Sequence, residues 1–253
     1  MFVLLLVVAS RRSGSNTLAA ELARRLGAAD DAGEILNDGM GQGGTRLDVD
    51  IEVARRNVTA LREALARRYC AARHASSTAD TRPCVVIGRV FPEHVLPHAD
   101  LLERLLGEAA DAIVVLRRAN ATAQLHSLRR SMANGCWATS PQRRSANDCT
   151  AIVGKRLRAG AANATLPVPR KRAVARFARQ IGHWHERVER AARLAAPRRP
   201  PVLGRFETAE FLRASSSSTS AWTARMDAVA TGLARAQAHD ANGANGGEAR
   251  RLP

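Results

Sequence analysis

The chain has 253 residues, 45% of them hydrophobic and 25% charged, enough to build the core of one full α/β domain or two small ones. That balance excludes a chain disordered throughout and a collagen-like repeat, and no apolar run approaches the roughly 18 residues that span a bilayer. Lys and Arg number 39 against 23 Asp and Glu, a formal charge of +16, which points to a polyanionic partner unless it reflects only an Ala- and Arg-rich composition.

The first apolar run, residues 1–9, reads as a buried parallel strand. The competing reading is a short signal peptide, but no basic segment precedes the run and Arg11-Arg12 follows it. On the strand reading, a lumenal protein would carry its targeting segment upstream. A helix is expected over 16–26, with Leu18, Leu22 and Leu26 four apart and Gly27 at its end. Residues 30–47 are rich in Gly, Asp and Asn and read as a loop, and 49–72 return to a helical pattern. A turn region at 75–83 leads to a strand over 84–88, a helix over 97–108, a strand over 112–116 and a helix over 121–132. A long irregular connection over 134–165 precedes a basic helix at 169–194, with Phe177, Ile181, Trp184 and Val188 on its apolar face. A short last strand is expected at 201–203. The domain is drawn over 1–214, with a Ser-rich linker and helix over 215–238 and a disordered tail over 239–253. Continuous apolar strands alternating with helices predict a parallel sheet covered on both faces, whose ligands bind beyond the carboxyl ends of the strands.

Two motifs fall at that edge. Arg11-Arg12-Ser13-Gly14-Ser15-Asn16-Thr17 joins the first strand to the first helix. A small-residue loop opening a helix offers backbone N–H groups and hydroxyls to an anion, and Arg adds bidentate contacts. It lacks the Gly and Lys pattern of a nucleotide-triphosphate loop and the three glycines of a dinucleotide fingerprint. The second motif is Arg117-Arg118-Ala119-Asn120 before a helix that carries Gln124 and Ser127. Ser127 lies two turns beyond Asn120, so Arg118 and Ser127 can grip one phosphate together. Taken singly, each motif also fits an ordinary capped basic helix.

As an ordered pair, the motifs resemble the sulfotransferase family that uses 3′-phosphoadenosine 5′-phosphosulfate (PAPS). Arg12-Ser13-Gly14-Ser15 resembles that family's 5′-phosphosulfate loop. Leu116-Arg117-Arg118-Ala119-Asn120 with Gln124 and Ser127 resembles its 3′-phosphate motif in the form of the nodulation-type and trehalose-type carbohydrate enzymes. Gly33-Glu34-Ile35-Leu36-Asn37, the segment Arg89 to His94, Trp137 and Phe206-Glu207 agree in order with weaker family patches, and the resemblance covers roughly residues 2–212. It departs in having Asn16-Thr17 where an aromatic or Leu is common, Arg in place of a loop Lys, and no Asp in the last patch. The resemblance implies a three-layer P-loop-like α/β fold. It implies transfer of a sulfuryl group from PAPS, as co-substrate, to a hydroxyl or amine of an acceptor, expected to be a carbohydrate. Arg11, Arg12, Ser13, Gly14, Ser15, Asn16 and Thr17 would bind the 5′ side of PAPS, with Arg12 also stabilising the transferred group, and Arg118 with Ser127 the 3′-phosphate. Glu34 is the favoured general base and His94 its rival.

The alternatives are a non-enzymatic basic protein that binds nucleic acid or another polyanion, and, more weakly, a nucleotide kinase with a degenerate loop. No helix-turn-helix, zinc or aromatic-platform pattern supports specific nucleic-acid binding, and aromatics are only 4%. No metal is expected, since no Cys pair or His cluster has zinc spacing. The cysteines fall as two local pairs, Cys70 with Cys84 and Cys136 with Cys149, which favours two disulfides over four free thiols. With sequons at Asn57, Asn120 and Asn163, this suggests a glycoprotein of the Golgi lumen or secretory pathway. A cytoplasmic location is the alternative, and membrane attachment would need an anchor upstream.

Overall fold

The computed structural model describes residues 2–26, 29–37, 51–76, 84–98, 100–134, 167–195 and 204–207. Among these residues five strands form one sheet: β1 (Phe2–Ala9), β2 (Ala29–Glu34), β3 (Cys84–Val90), β4 (Ala112–Arg117) and β5 (Gly204–Glu207). Their order is β2-β3-β1-β4-β5, and every pairing is parallel. The apolar run at the amino end is thus the middle strand, with β3 on one side and β4 on the other.

Side-chain alternation along β1 builds a layer on each face. Val3, Leu5, Val7 and Ala9 pack with Val85, Ile87, Val114 and Leu116 under Leu18, Ala19 and Leu22 of α1 (Ser15–Leu26). Leu4, Leu6 and Val8 face the opposite layer. That layer holds α2 (Ile51–Arg56), α3 (Val58–Ser76), α4 (Pro92–Val95), α5 (Leu101–Arg104), which continues as a π turn through Ala109, and the later half of α7 (Lys171–Ala195). With α6 (Ala121–Asn134) following β4, the result is a three-layer, P-loop-like α/β fold: a strand runs into a small-residue loop and then a helix, within a parallel sheet clad on both faces.

Several boundaries differ from the sequence-based reading. The expected loop over 30–47 begins as strand β2. Ala-Asp-Asp-Ala-Gly-Glu has poor strand propensity, yet it pairs with β3 along the sheet edge. A register shift between Asp31 and Gly33 accommodates it, with Gly33 at φ 77° and its N–H donating to Asp31 Oδ1 at 2.9 Å. The single helix expected over 49–72 is broken at Asn57, whose Oδ1 accepts from the Ala60 N–H at 3.0 Å and caps α3. The helix expected over 97–108 starts only at Leu101, as α5 and the π turn that continues it, and a separate single turn, α4, precedes it with Pro92 at its first position. The last strand begins at Gly204, and Phe206-Glu207, expected after it, lie inside it opposite Leu116 and Arg117. Residues 201–203, the linker and tail beyond 214, Trp137, and the pair Cys136 and Cys149 lie outside the described residues. Among the described residues no helix is long and apolar enough to cross a membrane.

Three devices hold the sheet. Cys70 and Cys84 form a disulfide that ties α3 to the start of β3. Gly88 lets β3 approach its neighbours, because a Cβ there would sit 2.9 Å from Ile35 Cγ2 and 3.2 Å from Leu6 Cδ2. At the amino edge, Asp111 Oδ2 accepts from the Leu4 N–H at 2.8 Å and from Arg62 Nη1 at 2.6 Å. Arg62 also donates to the carbonyls of Ala109 and Phe2 at 2.5 and 3.2 Å. Removing the carboxylate strands a half-buried guanidinium and a buried strand N–H. Asp111→Ala is therefore expected to destabilise the fold by about 3 kcal/mol, read as a fall in the urea midpoint at unchanged slope.

Candidate functional site

The loop after β1 turns tightly into α1. Arg12 has φ 62° and Gly14 has φ 94°. A left-handed residue other than Gly costs roughly 1–2 kcal/mol, so Arg12 must be held from outside, and it is held twice. Its Nε donates to Ser127 Oγ at 2.9 Å, and its carbonyl accepts from Arg118 Nη1 at 2.9 Å. Ser13 and Ser15 are buried beneath the loop, Asn16 is half-buried, and Thr17 is exposed on the first turn of α1. The Ser13 N–H reaches Ser10 O at 3.3 Å, and the Leu18 N–H donates to Gly14 O at 3.0 Å.

The second motif is bolted onto the first. Asn120 caps α6, its Oδ1 accepting from the Ala123 N–H at 2.8 Å. One turn further on, Gln124 is fully buried, and its Nε2 donates to Ser10 Oγ and to Arg11 O, both at 2.7 Å. Arg117 turns away and pairs with Glu189 of α7. Arg118, just past the end of β4, turns toward the loop. Arg12, Arg118 and Ser127, assigned by sequence to two separate phosphate subsites, therefore form one contiguous cluster. The Arg12 guanidinium is held below its ordinary pKa by burial and by repulsion from Arg118 and Arg130, and burial lowers that of Arg118. A bound anion would relieve both effects.

Glu34 and His94 sit farther along the same carboxyl edge. Glu34 is the last residue of β2 rather than a loop carboxylate, and His94 lies in α4, just past β3. His94 Nε2 is 3.5 Å from Glu34 Oε2, so the two rival bases are partners. The Phe91 N–H faces His94 Nδ1 at 3.4 Å, which turns Nε2 toward Glu34. Asn37 Nδ2 donates to the same Oε2 at 2.9 Å. Burial opposes ionisation of Glu34, but the hydrogen bonds from His94 and Asn37 and the charges of His94 and Arg11 outweigh it, and its pKa lies below the usual value. Arg11 itself pairs with Glu93 of α4, linking the loop to this carboxylate pair. Arg89, the first residue of the segment that agrees with a weaker family patch, is buried near the end of β3 and reaches Asp31 at 3.4 Å.

Gln124 is the residue whose role the sequence left unassigned. Its signal was the spacing Asn120-x-x-x-Gln124, which puts an amide one turn into the helix, on the face of the capping residue.

Behind Arg117, His185 of α7 is buried, and burial together with the charge of Arg117 lowers its pKa to about 4. The imidazole is neutral in the fold, while the unfolded chain takes up a proton near pH 6.5. Stability is thus expected to fall by about 3 kcal/mol as pH drops from 6.5 to 4. Urea midpoints at pH 7 and pH 4.5 should differ less in His185→Leu than in the native chain; an equal difference would contradict the buried neutral imidazole.

No known family's sequence pattern matches this chain, and no curated protein matches it. A shikimate kinase structure from Bacteroides thetaiotaomicron is similar at 13% identity and a TM-score of 0.25, covering 73% of this chain and 98% of that one. So loose a superposition adds nothing to the architecture read from the strand pairing.

Proposed function

We propose that the protein transfers a sulfuryl group from PAPS to a hydroxyl, or an amine, of a carbohydrate acceptor. The observation that carries this reading is the convergence of two strand-end anion motifs on one cluster: Arg12 Nε on Ser127 Oγ, and Arg118 on the Arg12 carbonyl. PAPS carries phosphate on both sides of its ribose, and a substrate anionic at two points suits two joined cationic loops. Arg12, Ser13, Ser15 and the first N–H groups of α1 would take the phosphosulfate, and Arg118 the 3′-phosphate, with Ser127 between them.

In the reaction, the acceptor oxygen forms a bond to sulfur while the sulfur–oxygen bond to the adenosine bisphosphate breaks. The leaving phosphate oxygen keeps the electron pair, and Arg12 and the loop N–H groups stabilise it. The acceptor proton passes to Glu34. Its Oε2 is engaged by His94 and Asn37, so Oε1 receives the proton, and His94 positions the carboxylate. The Cys70–Cys84 disulfide supports work in an oxidising compartment such as the Golgi lumen.

The test is label transfer. Incubation with PAPS labelled at sulfur should move label to a carbohydrate from a panel of neutral and acidic glycans, and Arg118→Ala should abolish the transfer. Label moving instead from γ-labelled ATP would replace this reading with a kinase.

A further inference from the structure

Helix α7 carries a charge pattern that the transferase chemistry does not use. Residues 167–185 hold five cations, Arg170, Lys171, Arg172, Arg176 and Arg179, and no carboxylate. Several arginines on other helices have acidic neighbours: Arg24 and Arg25 with Glu21, Arg55 with Glu52, Arg67 with Glu63. None of the five has a carboxylate partner among the described residues, and all five are exposed.

Arg172, Arg176 and Arg179, followed by His183, recur at spacings of four, three and four. They line one side of the helix over about 16 Å. Val174, Phe177 and Ile181 lie on the opposite side, half-buried, and lead into the buried Trp184 and Val188. Helix α7 packs against α6, which bears Gln124 and Ser127, and its Glu189 meets Arg117 at the carboxyl end of β4.

We infer that this row docks an anionic polysaccharide chain, so that the acceptor is a polymer bearing carboxylates or sulfates. The docking stands on the helix alone; the acceptor role rests on the transferase reading. A membrane surface fits poorly, because a helix that binds one turns its apolar residues outward. Single-stranded nucleic acid fits poorly too, because among the described residues no exposed aromatic stands beside the row for bases to stack on. A straight line of exposed guanidinium groups suits a hydroxyl-rich chain with regularly spaced anions.

The full chain would be titrated with heparin as probe at two salt concentrations, beside neutral dextran, duplex DNA and anionic lipid vesicles. The variant R172A/R176A/R179A would be compared with R24A/R56A/R67A, which removes equal charge from other exposed helical positions. We expect heparin affinity to fall at least about tenfold, with a shallower salt dependence, in the α7 variant only. Adenosine 3′,5′-bisphosphate binding should be unchanged in both. Equal losses in the two variants, no loss in either, or tighter binding of DNA or vesicles than of heparin would overturn the inference. Failure of the native chain to bind the bisphosphate would sink the transferase reading and leave the heparin result standing.

Discussion

Glu34→Gln is expected to lower turnover about 10²–10⁴-fold with little change in affinity for adenosine 3′,5′-bisphosphate. The substitution keeps the shape of the side chain and an oxygen for Asn37, but it removes the atom that takes the acceptor proton. His94→Gln should act through Glu34, and its effect has a separate signature. Native Glu34 is held below the ordinary carboxylate range, in part by His94, so activity should persist into mild acid. Without His94, burial is less opposed, the Glu34 pKa rises, and the acidic limb of the rate profile moves to higher pH. Were His94 itself the base, Glu34→Gln would be the milder variant and the limb would vanish in His94→Gln rather than move. A pH–rate profile of both variants separates the two roles.

Arg12→Gly is expected to lower affinity for the bisphosphate about 10²–10³-fold, the loss of one or two charge-assisted hydrogen bonds. Its effect on stability should run the other way. Arg12 occupies a left-handed conformation and lies against Arg118 and Arg130. Glycine removes that strain and one charge of a repelling group, so the melting temperature of the unliganded protein should hold or rise. Arg12→Ala loses the same affinity but keeps the strain. A core or purely structural arginine would behave oppositely, its removal lowering the melting temperature and sparing the ligand. Calorimetric melting with and without ligand, on both variants, decides between them.

The strands that were legible are those buried on both faces. Leu4 to Val8, Val85 to Ile87 and Ile113 to Leu116 declare themselves as apolar runs because nothing else tolerates such sequences in water. Edge strand β2 was illegible, since Asp30, Asp31 and Gly33 owe their extended form to pairing with β3 and not to propensity. The same miss displaced Glu34 from a strand end to a loop. Arg12, Arg118 and Ser127 could be singled out because cations and hydroxyls at strand ends are unusual. Their joining into one cluster depends on Gln124 holding α6 over Ser10 and Arg11, a contact across more than a hundred residues that no local pattern encodes. The pairing of His94 with Glu34 likewise depends on β2 lying beside β3.

The central claim, that Arg12, Arg118 and Ser127 form one site for a doubly phosphorylated adenosine, is tested most directly by thermal stabilisation of the purified chain with adenosine 3′,5′-bisphosphate. A ligand at a hundred times its dissociation constant adds about 2.7 kcal/mol, or about 5–10 °C for a domain of this size. That shift is predicted for the bisphosphate, with much smaller shifts for AMP, ATP and sulfate, and its loss in Arg118→Ala. No shift, or equal shifts with every anion, would contradict the claim and leave the two motifs as basic surface.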